Sequence, residues 1–468
     1  MTRFNIGVAP RIDLSKLTHA EKDALILSLL PLVSQLEAAL GRIAQLEARL
    51  ALLEKPPKTP DNSSLPPSRG HKPSPPSDGN KPLRKSRLGF GRALDPTPGR
   101  VADQLLDACP HCATDWPVEA QTPQRVYDRI ELPPIRADVT RVRLFGGRCA
   151  CCGERAIATA PAGLEPGSPF GRSIEAIAVY LHYAQAIGIE RLRLVFGELF
   201  GLSISEGALC NILARAKAPL EAAAAAIAAV VTQSDVVASD ETSVRVMKRT
   251  HWEWVFVTAA CVLHIIRPGR GACVVRDLFG DWRPRVWISD GLRSQRGHAE
   301  QWQMCLAHLL RDTQYAIDCG DDGFSAAFRL LLLRAIAIGR RRDTLRDSTL
   351  AQYRANLDRR LDAVLALPRH GEAAEKLRRR IARDREHLFT FVIDRAVPPT
   401  NNVSERALRP SMIFRKVTNG FRSEWGAQTY AAFRSVVSTA KLHKRSVLED
   451  LRRVLDTASN EKLTAGVG

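Results

Sequence analysis

Two short β-branched runs, Val236-Val237-Ala238 and Arg285-Val286-Trp287-Ile288, each break off into Ser-Asp, at Asp240 and Asp290. This repetition constrains the fold more than any other feature of the chain. Acids carried at the ends of neighbouring strands converge on one point, where loops also shape a site. Between the two runs, Trp252–Ala259 and Val262–Ile266 read as a hairpin pair and Val274–Phe279 as a helix. Strand, strand, strand, helix, strand predicts a mixed α/β core beginning near residue 233. Residues 300–318 read as helix, and 319–394 as a long Arg-rich helical segment without strand signals. The chain then passes Pro398-Pro-Thr-Asn-Asn402 into a new helix, Val403–Lys416, and 426–457 is helical as well.

The first 232 residues have a different texture, and 468 residues in all predict two to four structural units. Over 25–54 one heptad frame places Leu29, Leu36, Ile43 and Leu50 at a, with Leu32, Ala39, Leu46 and Leu53 at d. Such a seam needs a partner helix and predicts self-association as a homodimer or higher oligomer. Residues 55–100, rich in Pro, Ser, Gly, Lys and Arg, read as a flexible linker, in which Lys81, Arg84, Lys85 and Arg87 are set to touch a DNA backbone. Residues 172–230 read as all-helical. Within them Arg191–Leu199, a turn at 200–205 and Glu206–Lys217 have helix-turn-helix spacing, which suits either a major groove or a plain bracing hairpin. No apolar run is read as approaching the roughly 20 residues of a membrane span. Met1–Pro10 has no charged-then-apolar signal pattern, so the protein is expected to stay in the cytosol.

Five of the ten cysteines fall between Cys109 and Cys152. A cytosolic chain is not expected to form disulfides. Cys109-Pro-His-Cys112 and Cys149-Ala-Cys-Cys152 instead predict one structural Zn²⁺ held by Cys109, Cys112, Cys149 and Cys152, in a ribbon whose strands are Val126–Leu132 and Val139–Phe145. Cys151 leaves the register of the second knuckle open, and His111 reads as a bystander.

The net charge is +18, carried largely by arginine in runs such as Arg340-Arg341-Arg342 and Arg378-Arg379-Arg380. Arginine forks suit phosphate, which points to nucleic acid and to salt-sensitive binding, although an arginine-rich solvated surface has the same composition. Phosphodiester chemistry gives the two aspartates a purpose. Acidic oxygens hold two divalent ions roughly 3.5–4 Å apart, and Mg²⁺ or Mn²⁺ accepts such hard ligands. A third carboxylate is required. Glu405, in the first turn of a helix announced by Asn401, Asn402 and Ser404, is one candidate. Glu241, Asp277, Asp281 and Asp312 are others, with Glu241 expected to face away from Asp240 if the strand continues. Arg406, Arg409, Arg415 and Lys416 extend a basic surface beside Glu405 and are candidate DNA contacts.

Four blocks resemble the signatures of the insertion-sequence sixty-six family of transposases: Asp240-Glu-Thr-Ser, Ser289-Asp-Gly291, Cys305-Leu-Ala-His308-Leu-Leu-Arg311 and Asn401-Asn-Val-Ser-Glu405-Arg-Ala-Leu-Arg409-Pro. The resemblance extends to the zipper-like start, the Asn62-Ser-Ser-Leu-Pro-Pro-Ser68 motif, the CxxC pairs and Thr439-Ala440-Lys441. It implies an RNase H-like catalytic core split by a helical insertion, with Asp240, Asp290 and Glu405 as its DDE triad. The implied organisation is a coiled coil over 1–54, a linker over 55–100, a zinc ribbon over 101–165 and a helical DNA-binding region over 166–232. The catalytic domain follows over 233–318 plus 395–440, with the insertion at 319–394 and a C-terminal helix and tail at 441–468. It also implies cleavage and strand transfer at the terminal inverted repeats of a mobile element, with target DNA and small accessory proteins of the same element as partners. The competing expectations are a catalytically inactive zinc-ribbon repressor or accessory protein, and an RNase H-fold nuclease without strand transfer. Two positions depart from the family pattern: Ser243-Val244 where a Gly-Trp-like pair often follows, and the extra Cys151.

Overall fold

The computed structural model describes residues 17–53, 56–63 and 92–465. In chain order it contains α1 (His19–Leu53), β1 (Gly146–Arg148), β2 (Arg155–Ile157) and α2 (Arg172–Val179), which runs on through a π-helical turn at Tyr180–Ala184. There follow α3 (Ile189–Phe200), α4 (Glu206–Arg215), α5 (Lys217–Val231), β3 (Val236–Val246), β4 (Arg249–Val257), β5 (Val262–Arg267), α6 (Cys273–Phe279), β6 (Val286–Ser289) and β7 (Gln301–Met304). The remainder is helical: α7 (Leu306–Asp318), α8 (Phe324–Arg341), α9 (Asp347–Leu365), α10 (Gly371–Arg383), α11 (Thr390–Ile393), α12 (Asn402–Thr418), α13 (Glu424–Leu442) and α14 (Val447–Ala465).

One compact unit comprises His71–Trp302 and Asn401–Gly468. Its centre is a five-stranded mixed sheet in the order β5-β4-β3-β6-β7. β3 pairs antiparallel with β4, β4 antiparallel with β5, and β3 parallel with β6. The crossover from β5 to β6 carries α6, as a parallel pair requires. Helices α2, α5, α12, α13 and α14 build a core on this sheet around Tyr183, Leu220, Phe414, Tyr430 and Phe433. α3 and α4 close a smaller cluster of Leu192, Phe196, Ile204, Leu209 and Ile212, with the turn at Gly201 and Ser205 capping α4 by accepting from the Ala208 amide. The alternation expected from residue 233 onward is what the chain forms, with two differences. β3 runs on past Asp240 to Val246, because its second half pairs with β4. β7 occupies Gln301–Met304, where helix was expected; its glutamines and single tryptophan give no β-branched signal.

The other unit comprises Met1–Gly70 and Gln303–Thr400, so the boundary falls inside β7. Residues 319–394 are helical, as expected. Their arginines are not simply a solvated face. Arg342 turns inward and donates to the carbonyls of Phe391 (2.6 Å) in α11 and of Arg395 (2.6 Å) and Val397 (2.5 Å) in the segment after it. Arg378, Arg369 and Arg379 all grip Glu375 and pull its carboxyl down to about 2. The front of the expected linker is also ordered here. Asn62 is buried and donates to Asp318 Oδ2 (2.8 Å) on α7. Lys81, Arg84, Lys85 and Arg87 lie outside the described residues.

α1 is a single helix of 35 residues, and its seam residues Leu29, Leu32, Leu36, Ile43 and Leu46 are all exposed. Leu50 and Leu53 have side chains outside the described set. One expectation is corrected here. His19–Leu46 is long and apolar enough to cross a membrane, with a mean hydropathy of 1.7, so a stretch of that length is present after all. The heptad reading overlooked it because Ala24–Val33 is apolar on every face, not only at a and d.

Candidate active site

Register places the two aspartates. Ala238 on β3 pairs with Ile288 on the parallel strand β6. Asp240 and Asp290 each lie two residues further on, so both project to the same face of strands that stand about 4.8 Å apart. Asp290 follows the end of β6, where its Oδ1 accepts from the Leu292 amide at 2.9 Å in a tight turn. Asp240, by contrast, sits within β3 opposite Val255 of β4, at the point where pairing with β6 stops. The expectation of two strand-end acids therefore holds for Asp290 and is corrected for Asp240.

Glu405 arrives from the first turn of α12. Asp240 registers its presence. Burial raises the Asp240 carboxyl well above the usual range, and the negative charges of Asp290, Glu241 and Glu405 push it further, against one hydrogen bond from the Glu241 amide. The chain thus brings the three named carboxylates into one electrostatic neighbourhood. Glu241 turns to the other face, as alternation requires. There it takes Arg270 Nη2 at 2.7 Å and a hydrogen bond from Gln295, which also accepts from the Trp287 indole. Burial still raises Glu241 despite the guanidinium. Asp277, Asp281 and Asp312 do not figure among the groups that act on Asp240.

Asn401, which in the sequence signals only a helix start, joins the third acid to the first in the structure. Asn401 is fully buried and makes no side-chain cap. Its Nδ2 donates to the carbonyl of Ser239 at 2.8 Å, next to Asp240, and its own carbonyl accepts from the Glu405 amide at 3.3 Å. One side chain therefore ties the base of α12 to the strand beside the first aspartate. Further along, Ser411 Oγ donates to the buried Glu253 at 2.7 Å, and Glu253 also holds His264 at 2.9 Å. Arg415 is bonded to the Ser243 carbonyl. It is turned onto β3, whereas Arg406, Arg409 and Lys416 remain on the exposed face of α12. His308 and Arg311 lie on α7, in the other unit.

Among the described residues, no three His, Cys, Asp or Glu side chains are already gathered around one metal-sized point. The donor chemistry at Asp240 nevertheless suits a hard divalent cation. Its carboxyl is kept reluctant to ionise first by burial and then by the neighbouring carboxylates, a load that a hard divalent cation would relieve.

The cysteine pairs form two copies of one turn. Cys109 N donates to Thr114 O and Ala113 N to Cys109 O; Cys149 N donates to Glu154 O and Gly153 N to Cys149 O. The fifth residue of each turn is left-handed, Ala113 at φ 57° and Gly153 at φ 74°. By this equivalence Cys109 matches Cys149, Cys112 matches Cys152, and Cys151 falls where His111 does. β1 and β2 flank the second turn. The expected strands Val126–Leu132 and Val139–Phe145 do not form; most of their apolar residues lie exposed, and Phe145 O accepts from Ala158 N at 2.8 Å beside the β1–β2 pair. No described residue from 92 to 165 is buried, so this region has no apolar core to hold it together. A thiolate-bound ion suits a segment with that deficit.

The sequence profile of the Transposase IS66 family matches residues 167–429. The match takes in Asp240, Asp290 and Glu405, and leaves α1 and both cysteine turns outside it. An uncharacterised protein of Sinorhizobium fredii, y4qI, is 26% identical over a stretch covering 64% of this chain. The stretch spans 61% of that protein's own length.

Proposed function

Because the chain belongs to the IS66 transposase family, we propose that it cuts and rejoins DNA at the ends of a mobile element, using Asp240, Asp290 and Glu405 as the acids of one phosphodiester-processing site. The observation that carries this reading is geometric: the β3–β6 register sets Asp240 and Asp290 on one face, and Asn401 ties the base of the Glu405-bearing helix to the Ser239 carbonyl beside Asp240. Acids 50 and more positions apart are otherwise kept apart by charge. Asp240, Asp290 and Glu405 would hold two divalent cations, Mg²⁺ or Mn²⁺, which when bound supply an activated attacking oxygen and offset charge on the leaving one. The chain's own contribution is geometric. The β3–β6 register sets two carboxylates side by side, and Asn401 fixes the helix that delivers the third. In the first step water adds to phosphorus as the P–O3′ bond breaks, freeing a 3′-hydroxyl at the element's end. In the second, that hydroxyl adds to a target phosphorus, and the target's own 3′-hydroxyl leaves.

Around this site we assign supporting roles. The two cysteine turns hold one structural Zn²⁺ through Cys109, Cys112, Cys149 and Cys152. α3 and α4, with Arg406, Arg409 and Lys416, contact DNA. α1 pairs protomers as a coiled coil, so that two ends are held together. The experiment is end cleavage and strand transfer by the full chain on the duplex ends of its element with Mg²⁺ or Mn²⁺. Specific binding without cleavage would instead identify a repressor or accessory protein. Cleavage of branched DNA without joining would identify a nuclease.

A further inference from the structure

The cations of this chain divide into two kinds. One kind is held by acids, as in the helical insertion, where Glu375 takes Arg378 and Arg379, Asp312 takes Arg380 and Asp362 takes Arg385. At the β3–β4 turn the situation is reversed. Arg245, Lys248, Arg249 and Arg422 are all exposed, and among the described residues none is paired with a carboxylate. Between them stands Met247, 58% exposed.

The turn is also strained and braced. Met247 (φ 48°) and Lys248 (φ 64°) both occupy the left-handed region, which a two-residue hairpin of this hand demands and which Asn-Gly normally fills. A methionine and a lysine there give up backbone ease to present long side chains. The tip does not hang free. Met247 N donates to Phe421 O and Phe421 N donates to Arg245 O, both at 2.8 Å, a parallel bridge between the hairpin and the α12–α13 connection. The close approach depends on Gly420, where a Cβ would stand 2.4 Å from Arg245 O. Phe421 in turn rests on Phe414 and Tyr430, ring centroids 5.6 and 5.1 Å away.

We propose that this tip is a dedicated contact for duplex DNA: Arg245, Lys248, Arg249 and Arg422 grip backbone phosphates while Met247 seats its thioether against the groove. It rests on the transposase reading, and extends it to a surface away from the carboxylates. Charge complementarity selects the occupant. Four unneutralised cations around one apolar side chain suit a polyanion with apolar groove walls, whereas an apolar protein partner would leave them desolvated and unpaired.

The test is fluorescence anisotropy of the full chain with a labelled 30-base-pair duplex across a salt series. For K248A/R249A/R422A, affinity at fixed salt falls tenfold or more, and the slope of log K against log salt shrinks by about 2 to 3, since each phosphate no longer neutralised removes about 0.9. M247A weakens binding severalfold with the slope unchanged. K248G relieves the left-handed backbone, keeps the turn, and still lowers the slope by about one. R378A/R379A removes two paired cations and serves as the comparison. A triple variant that melts like the wild type and loses no more affinity or slope than R378A/R379A overturns the proposal and leaves the transposase reading standing. A wild-type chain that binds no duplex at all overturns both.

Discussion

A carboxyl that is buried and faced by other carboxylates gives up its proton reluctantly, and Asp240 is held in that state by burial first and then by Asp290, Glu241 and Glu405. Its folded value is raised above the unfolded one, near 3.9. Its contribution to stability is therefore full below the unfolded value and is lost as pH rises through the folded value. Metal-free D240N consequently melts higher than the metal-free wild type at neutral pH, and the gap closes as pH falls towards about 4. Mg²⁺ raises the melting temperature of the wild type and does little for the variant. A thermal-melt series in pH and Mg²⁺ decides this; equal melting at all pH values would mean that Asp240 is not under that load. Asn401 acts one step behind the acids. N401D keeps the shape but cannot donate to the Ser239 carbonyl. It should raise the Mg²⁺ concentration needed for half-maximal thermal stabilisation about 10- to 100-fold, as loss of outer-shell support typically does, with duplex affinity unchanged. An unchanged Mg²⁺ midpoint would make Asn401 a packing residue only.

Among the elements, the cysteine turns make the most discriminating case. Their matching hydrogen bonds and left-handed fifth residues equate Cys152 with Cys112 and set Cys151 beside the ligand positions, as His111 is in the first turn. Purified C112S and C152S should carry no zinc and C151S a full equivalent, as read by metal analysis of the protein. Zinc lost from C151S and kept by C152S would reverse the register. The CxxC spacing was legible in the sequence. The register was not, because Cys151 offers a third thiol between the Cys149–Cys152 pair, and only backbone hydrogen bonds separate it from the ligand positions. The core strands were legible where β-branched residues cluster, as at Val236-Val237-Ala238, and not at Gln301–Met304, whose place at the sheet edge comes from its neighbour and not from its own residues. Val126–Leu132 shows the opposite case: the alternation is there, and among the described residues the partner strand is not. At the site, the two aspartates could be picked out from local context. Glu405 stood out only through a family motif, and Asn401 could not be assigned its tie to Ser239, since a hydrogen bond between residues 162 positions apart leaves no local mark.

At the scale of the whole molecule, the net charge of +18 overstates what is free for DNA. Arg342 donates to carbonyls at and beyond the end of α11 and three arginines hold Glu375, so part of that charge is engaged within the protein. α1, with its apolar seam bare, calls for a partner. As a coiled coil it makes the full chain a dimer or larger by light scattering, and L36D/I43D reduces it to a monomer. Flotation of the wild type with lipid vesicles would favour the membrane alternative that its hydropathy permits. In the proposed function Asp240, Asp290 and Glu405 act as one phosphodiester-processing site. Its most direct measurement is single-turnover cleavage of the element's end duplex in Mg²⁺ by the wild type, D240N, D290N and E405Q. The wild type should release a 3′-hydroxyl end and join it to target DNA, while each variant binds the duplex equally well and cuts at least about a thousandfold more slowly, the scale lost when a charge-stabilising group is removed. Wild-type rates in D290N or E405Q would contradict it.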